Sequence, residues 1–143
     1  MSFRSLDHTA DLAVEVTAVS RDELFAEAVP AFTDTMVDVD RVEALLSRRI
    51  ELESPEVSLL LVDWLTELLY LFEVEGFLFR RAETTIEDAE GGVRLRAVAW
   101  GEPRDDARHP IKVLLKAVTY HGLEVGPKGE AGEVWRARII FDI

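Results

Sequence analysis

The sequence contains no cysteine. A disulfide framework, a thiolate zinc site and a thiol nucleophile are thereby excluded, and any metal must be held by oxygen or imidazole ligands. Basic residues are also scarce: 16 Lys and Arg stand against 28 Asp and Glu, a formal net charge of −12. Neutralising nucleic-acid phosphates requires clustered cations, so direct binding of RNA or DNA is not expected. Long uncharged apolar runs are missing too. The most apolar stretch, Val57 to Val74, is broken by Asp63, Thr66, Glu67 and Glu73, whereas a membrane span wants about 20 mostly apolar residues. Met1 to Ala10 has no apolar h-region. Neither a signal peptide nor an anchor is read, and a cytoplasmic location is expected. There is no glycine-rich phosphate loop, no G-x-S-x-G elbow and no H-E-x-x-H helix, so the usual signatures of nucleotide binding, serine hydrolysis and zinc proteolysis are lacking.

What remains has the balance of a folded globular chain, with 48% hydrophobic and 31% charged residues. Its 143 residues suit one domain, 1–143, with enough length to bury a core. Strict alternation opens the pattern: Leu12, Val14, Val16 and Ala18 fall on one face of a half-buried strand. Ser20-Arg21-Asp22-Glu23 reads as a capping box, followed by a helix with the stripe Leu24, Phe25, Ala28, Phe32 and Met36. Pro30 cannot donate to the carbonyl of Ala26, which predicts a kink or restart there. Arg48 to Glu53 alternates again. Ser54-Pro55 then signals the start of a second helix, apolar nearly all round, running to Val74 and closed by Gly76.

Phe77 to Glu87 and Val93 to Gly101 bracket the turn Glu90-Gly91-Gly92 and predict an antiparallel hairpin. The spacing of Ile111, Leu114, Leu115 and Val118 predicts a short third helix. Two last strands follow, about Tyr120 to Val125 and Glu133 to Asp142. This order lacks βαβαβ alternation, and the expectation is an α+β domain of mainly antiparallel sheet with about three helices, one long and centrally buried.

Polar, titratable residues gather in three places where the pattern changes element: Asp7-His8-Thr9-Ala10-Asp11, Gly101 to His109, and Lys116 to His121. Asp142 adds a carboxylate to an otherwise apolar strand, Ile139-Ile140-Phe141. Each has a plainer role. Asp7 and Thr9 suit turns and caps, and His8, His109 and His121 suit hydrogen-bonded structural positions. Lys116 suits a snorkelling position on an apolar face. The acidic loop Glu102 to Asp106 suits a solvated turn, since it lacks the spacing of a calcium hand. Trp64, Trp100 and Trp135 lie on different elements at core-like positions, against a base-stacking platform. Spacing alone reaches, at most, an α+β domain with an acidic metal site.

At these same clusters the chain resembles the archease family, accessory proteins of RtcB-type RNA ligases. The matching pieces run in order over nearly the whole sequence: Asp7-His-Thr-Ala-Asp11, Leu60 to Phe72, Gly101-Glu102, Asp105 or Asp106, Arg108-His109, Lys116-Ala-Val-Thr-Tyr-His121, Trp135-Arg-Ala-Arg and Phe-Asp142-Ile143. Leu12-Ala13 replaces the family's usual Ile-Gly, and Pro30 interrupts a helix that relatives keep unbroken. The resemblance implies an activator without ligase activity of its own. It would promote guanylylation of the ligase's active-site histidine by GTP and so multiple turnover in tRNA splicing and RNA repair.

The resemblance also implies a divalent-metal site on Asp11 and Asp142, with a main-chain or terminal oxygen of Ile143 as a further ligand. Asp7, His8, His109, Lys116 and His121 would be its neighbours. Hard oxygen donors suit calcium, magnesium or manganese rather than zinc. Two other readings compete. A free-standing metal-dependent hydrolase would use Asp11, Asp142 and His8 or His121, but lacks a general-base and leaving-group constellation. A chaperone-like interaction protein would depend on an exposed patch instead of a metal. The oligomeric state is not legible.

Overall fold

The structure, a computed structural model, describes residues 11–143. Asp7 and His8 of the first cluster therefore lie outside the described residues. The alternation after Asp11 forms strand β1 (Asp11–Ala18), whose Val16 and Ala18 are buried. Helix α1 (Arg21–Met36) starts as the capping motif requires: Ser20 Oγ accepts from the Glu23 N–H at 3.1 Å. It runs through Pro30 as one helix, so the predicted restart does not occur. The single carbonyl left without its donor does not outweigh a buried stripe that includes Leu24, Phe25, Phe32 and Met36.

A 3-10 turn (Val39–Arg41) leads into β2 (Leu46–Ser54). Contrary to the expectation from sequence, Ser54 does not cap the next helix. It ends β2, and its hydroxyl donates to the Asp63 carboxylate in the helix that follows. Helix α2 (Val57–Glu75) begins after Glu56, which makes no side-chain cap bond, and stops at Gly76 in the left-handed region at φ 68°. Trp64 is wholly buried on α2 and donates from its indole N–H to Phe25 O at 3.0 Å, which ties the two helices together.

The hairpin forms as β3 (Phe77–Ala89) and β4 (Gly92–Pro103), and the chain closes with β5 (Ala117–Lys128) and β6 (Val134–Asp142). These make two three-stranded antiparallel sheets, in the orders β2-β4-β3 and β1-β6-β5. Helix α1 packs on β3 of one sheet and on β1 and β6 of the other; α2 touches β2, β3, β4 and β5. One continuous core therefore joins both sheets, with Phe32 and Phe141 meeting edge to face at 6.0 Å. The α+β class and the antiparallel pairing agree with the sequence. The expected number of helices does not: two α-helices are found among the described residues.

The missing helix is the one predicted around Ile111 to Val118. Instead residues 111–116 are irregular and extended, with Ile111, Val113 and Leu115 turned inward while Lys112, Leu114 and Lys116 are exposed. Long-range acceptors take amides that a helix would have used: Lys112 N–H donates to Met36 O and Lys116 N–H to Asp142 O, both at 2.7 Å. Period-2 burial thus wins over the i, i+3, i+4 pattern, and Val118 belongs to β5. Trp100 is a second correction. It lies half-buried on the outer face of its sheet, under the Arg81 guanidinium at 4.1 Å, and is not part of the core.

The pairing of β3 with β4 shifts register between Phe79 and Arg81, bringing the Leu78 carbonyl against Gly101. A Cβ at Gly101 would strike backbone atoms of Leu78 and Phe79, which have no flexible side chain to move aside. Gly101→Ala is expected to destabilise the fold by about 2 kcal/mol, the cost of overpacking a closed site. Urea unfolding at neutral pH measures this directly.

Candidate functional site

Strand β6 lies between β1 and β5, and its register sets the chemistry at one end of the sheet. Asp142 pairs with Asp11 on one side and with Ala117 on the other. Residues opposite each other in an antiparallel pair project to the same face, with Cα atoms about 4.5–5.5 Å apart. Asp11, exposed, and Asp142, half-buried, thus share the outer face of the sheet, where Ala13, Ile140 and Thr119 form the next row. The Lys116 amide bonds the Asp142 carbonyl, fixing the strand end beneath the carboxylate.

Farther along the same face, carboxylates have cations. Arg136 reaches Glu124 at 2.8 Å and Glu15 at 3.9 Å. Among the described residues no Lys, Arg or His pairs with Asp11 or Asp142. Like charges set directly opposite each other on a sheet are locally unfavourable, by a few tenths of a kcal/mol to about 1 kcal/mol. Two hard oxygen donors facing each other, with Ile143 next in the chain, match the donor chemistry of calcium, magnesium or manganese. No group of three or more Asp, Glu or His side chains able to hold a metal gathers among the described residues. The oxygen donors that the β1–β6 register sets opposite each other are therefore those of Asp11 and Asp142.

The predicted neighbours differ in their surroundings. Lys116 is adjacent through its backbone, with an exposed side chain. His121 is exposed in an irregular stretch of β5, where pairing with β6 jumps from Thr119 to Glu124. Gly122, at φ 68°, lets that stretch fold over Ile140 and Arg138. His109 is fully buried, and its ring is bonded elsewhere. The Asp105 N–H donates to Nδ1 at 2.9 Å, which leaves the proton on Nε2; that N–H faces Glu102 Oε2 at 3.0 Å and Arg41 O at 3.1 Å.

Glu102 is the residue that the sequence misrepresents. Read as part of a solvated acidic turn, it is only 3% exposed. Arg108 grips its carboxylate with two bonds, at 2.9 and 2.6 Å, and the Glu43 N–H adds a third at 2.8 Å. Burial pushes the Glu102 carboxyl up, and the bonds from Arg108, Glu43 and His109 together more than reverse it, holding it below the usual carboxylate range. Asp105 is also held low, chiefly by the backbone N–H groups of Arg108 and Ala107. Asp105, whose Oδ1 accepts both those N–H groups, was legible as a turn-former. The return of the loop onto Glu102 was not, because nothing local marks Arg108 and His109 as partners of a strand end. This cluster clasps the 104–109 loop to the 41–43 segment.

Known proteins are similar to the chain over its whole described length. A model of the archease protein family (MTH1598/TM1083) matches residues 3–143. The chain is 38% identical to protein archease of Methanopyrus kandleri over 143 residues, 100% of both chains. Against protein archease of Methanosarcina barkeri it is 37% identical over 142 residues, 99% of this chain and 95% of that one. The solution structure of Methanobacterium thermoautotrophicum protein 1598 is 34% identical and superposes with a TM-score of 0.80, covering 96% of each chain.

Because the folded Glu102 carboxyl sits below its ordinary value near 4.5, its stabilisation is complete above that pH and is lost as pH falls through the lower folded-state value. Glu102→Gln is expected to cost about 2 kcal/mol at pH 7, because one of the two buried acceptor oxygens becomes an amide group that cannot accept. It is also expected to flatten the decline in stability below about pH 4.5. Urea unfolding of both proteins across pH 7 to 3 checks cost and slope together.

Proposed function

The chain belongs to the archease family, and from that premise we propose that it is an accessory protein of a GTP-dependent RtcB-type RNA ligase. In this reading it promotes guanylylation of the ligase's active-site histidine and sustains multiple turnover in tRNA splicing and RNA repair. The observation that carries it is the direct cross-strand pairing of Asp11 with Asp142, the two positions that the family resemblance marks as metal ligands. Their oxygens, paired with no cation among the described residues and set on one face at one end of a sheet, would hold a divalent cation of the calcium, magnesium or manganese class. When bound, that ion supplies positive charge against developing phosphate charge. This chain's own residues present the two carboxylates, and the Lys116 amide and the buried side chains of Phe141 and Ile139 keep the strand from shifting under them.

Metal binding is read on the protein alone. Calcium or manganese is expected to raise the melting temperature of the native protein and to leave Asp142→Asn unmoved. Without metal, Asp142→Asn should melt no lower than the native chain, since one of two opposed charges is gone. Equal metal-induced shifts in both proteins would remove the Asp142 site.

The functional test is ligation by the cognate ligase with GTP and a divalent metal, under single-turnover and multiple-turnover conditions. Adding the native protein should raise multiple turnover, while Asp11→Ala and Asp142→Ala should lose about tenfold or more of that stimulation. Folded variants that stimulate fully would overturn the role of the pair. Hydrolysis of a nucleotide or phosphoester by this protein alone would favour the free-standing hydrolase.

A further inference from the structure

Helix α2 is packed by β2, β3, β4 and β5, yet it leaves one strip uncovered. Half-buried Glu67 and exposed Tyr70 and Val74 follow i, i+3, i+7 spacing and so line up on one side of the helix, with exposed Glu73 beside them. Tyr70 is 55% exposed and Val74 is 62% exposed, large apolar surfaces one turn apart. The whole helix carries no Lys or Arg. Glu75 at its end pairs with Arg48 at 3.2 Å, and Asp63 is engaged by Ser54. Among the described residues, no cation pairs with Glu67 or Glu73.

Exposed acid on a chain of net charge −12 is ordinary when it stands alone. Helix α1 has exposed carboxylates too, but no large apolar side chain stands exposed on it. On α2 the two features coincide, and the outer face of the β2-β4-β3 sheet provides a contrast. There carboxylates are matched by arginines, such as Arg94 with Glu53 and Arg96 with Glu51 and Glu87.

We propose that the α2 strip of Glu67, Tyr70, Glu73 and Val74 is a docking surface for a basic protein surface that offers Lys or Arg around an apolar seat. The proposal rests on the accessory-protein reading and deepens it: an enzyme that handles RNA must carry clustered cations, and this strip is their electrostatic and apolar complement. A second copy of this chain is a poor occupant. It would bring an equal negative charge, and Glu67 and Glu73 would face their own kind.

The test is binding of the cognate ligase to the native protein, to Glu67→Lys/Glu73→Lys and to Tyr70→Ala, each first checked for native melting. A control, Glu27→Lys/Glu130→Lys, makes the same change in net charge at exposed positions away from the strip. The α2 reversal is expected to raise Kd about tenfold or more and to weaken its dependence on salt, with the control much closer to native. Tyr70→Ala is expected to raise Kd with the salt dependence retained.

Native-like binding by the folded α2 variants overturns the docking surface while leaving the functional reading intact. Equal losses in the reversal and the control overturn it as well, reducing the attraction to net charge. A native protein that neither binds nor stimulates the ligase overturns the functional reading and the surface with it. A native dimer in light scattering that the α2 reversal dissolves assigns the strip to self-association instead and overturns the proposal.

Discussion

Two carboxylates stand opposite each other because the strand that carries Asp142 runs antiparallel to β1 in one particular register. Side chains alternate along a strand, so slipping β6 by one residue would turn its apolar residues outward and carry Asp142 inward. Ala137, Ile139 and Phe141 prevent that. All three are at most 1% exposed, and Phe141 meets Phe32 of α1. The hydrophobic core therefore determines where a hydrophilic pair points. The same register brings the Lys116 amide to the Asp142 carbonyl, so the irregular segment 111–116 is held by the strand that it helps to position.

The molecule treats its acidic residues in two opposite ways. Glu102 is enclosed and met by Arg108, the Glu43 amide and the imidazole of His109. Burying such a group is tolerable only because each lone pair finds a donor. Asp11 and Asp142 are near solvent and face each other without a described cation. The first arrangement closes a loop. The second sets two like charges opposite each other with no cation paired to them among the described residues.

Elements whose burial follows one clear period were legible from residues alone. Leu12 to Ala18 alternates over enough positions to read as a strand, and the Ser20 cap, the Gly76 stop and the Gly91 turn each have a local cause. The failures share a feature: a distant contact overrides a local signal. The apolar spacing at Ile111, Leu114 and Leu115 is helical on paper, yet Met36 and Asp142 take two of the amides. Ser54 is a plausible cap until Asp63 claims its hydroxyl. Glu102 sits in a polar loop until Arg108 and His109 fold back onto it. The site divides in the same way. An apolar run made Asp142 conspicuous after Ile139, Ile140 and Phe141, but no periodicity could say that it faces Asp11; that link came from family resemblance. Resemblance also grouped His109 with the pair, and its ring bonds assign it to the loop clasp instead.

The separation of roles along the chain bears on how an accessory protein of this size could work. The aspartate pair is rigidly placed: Asp142 stands on the middle strand of its sheet, where neighbours on both sides fix the backbone, and Asp11 on the strand beside it. A docking surface needs accessible area with uncancelled charge, and on α2 that charge lies on a helix whose other sides are locked into the core. Since Trp64 and Leu68 on the buried side of α2 contribute to the same core as Phe141, strip and pair belong to one rigid framework. A partner held at α2 would meet the Asp11 and Asp142 end in a constant orientation, with no hinge needed to carry one to the other. On the proposed reading, charge on the strip would govern encounter and salt dependence, whereas the aspartate pair would carry the metal chemistry toward the seated partner.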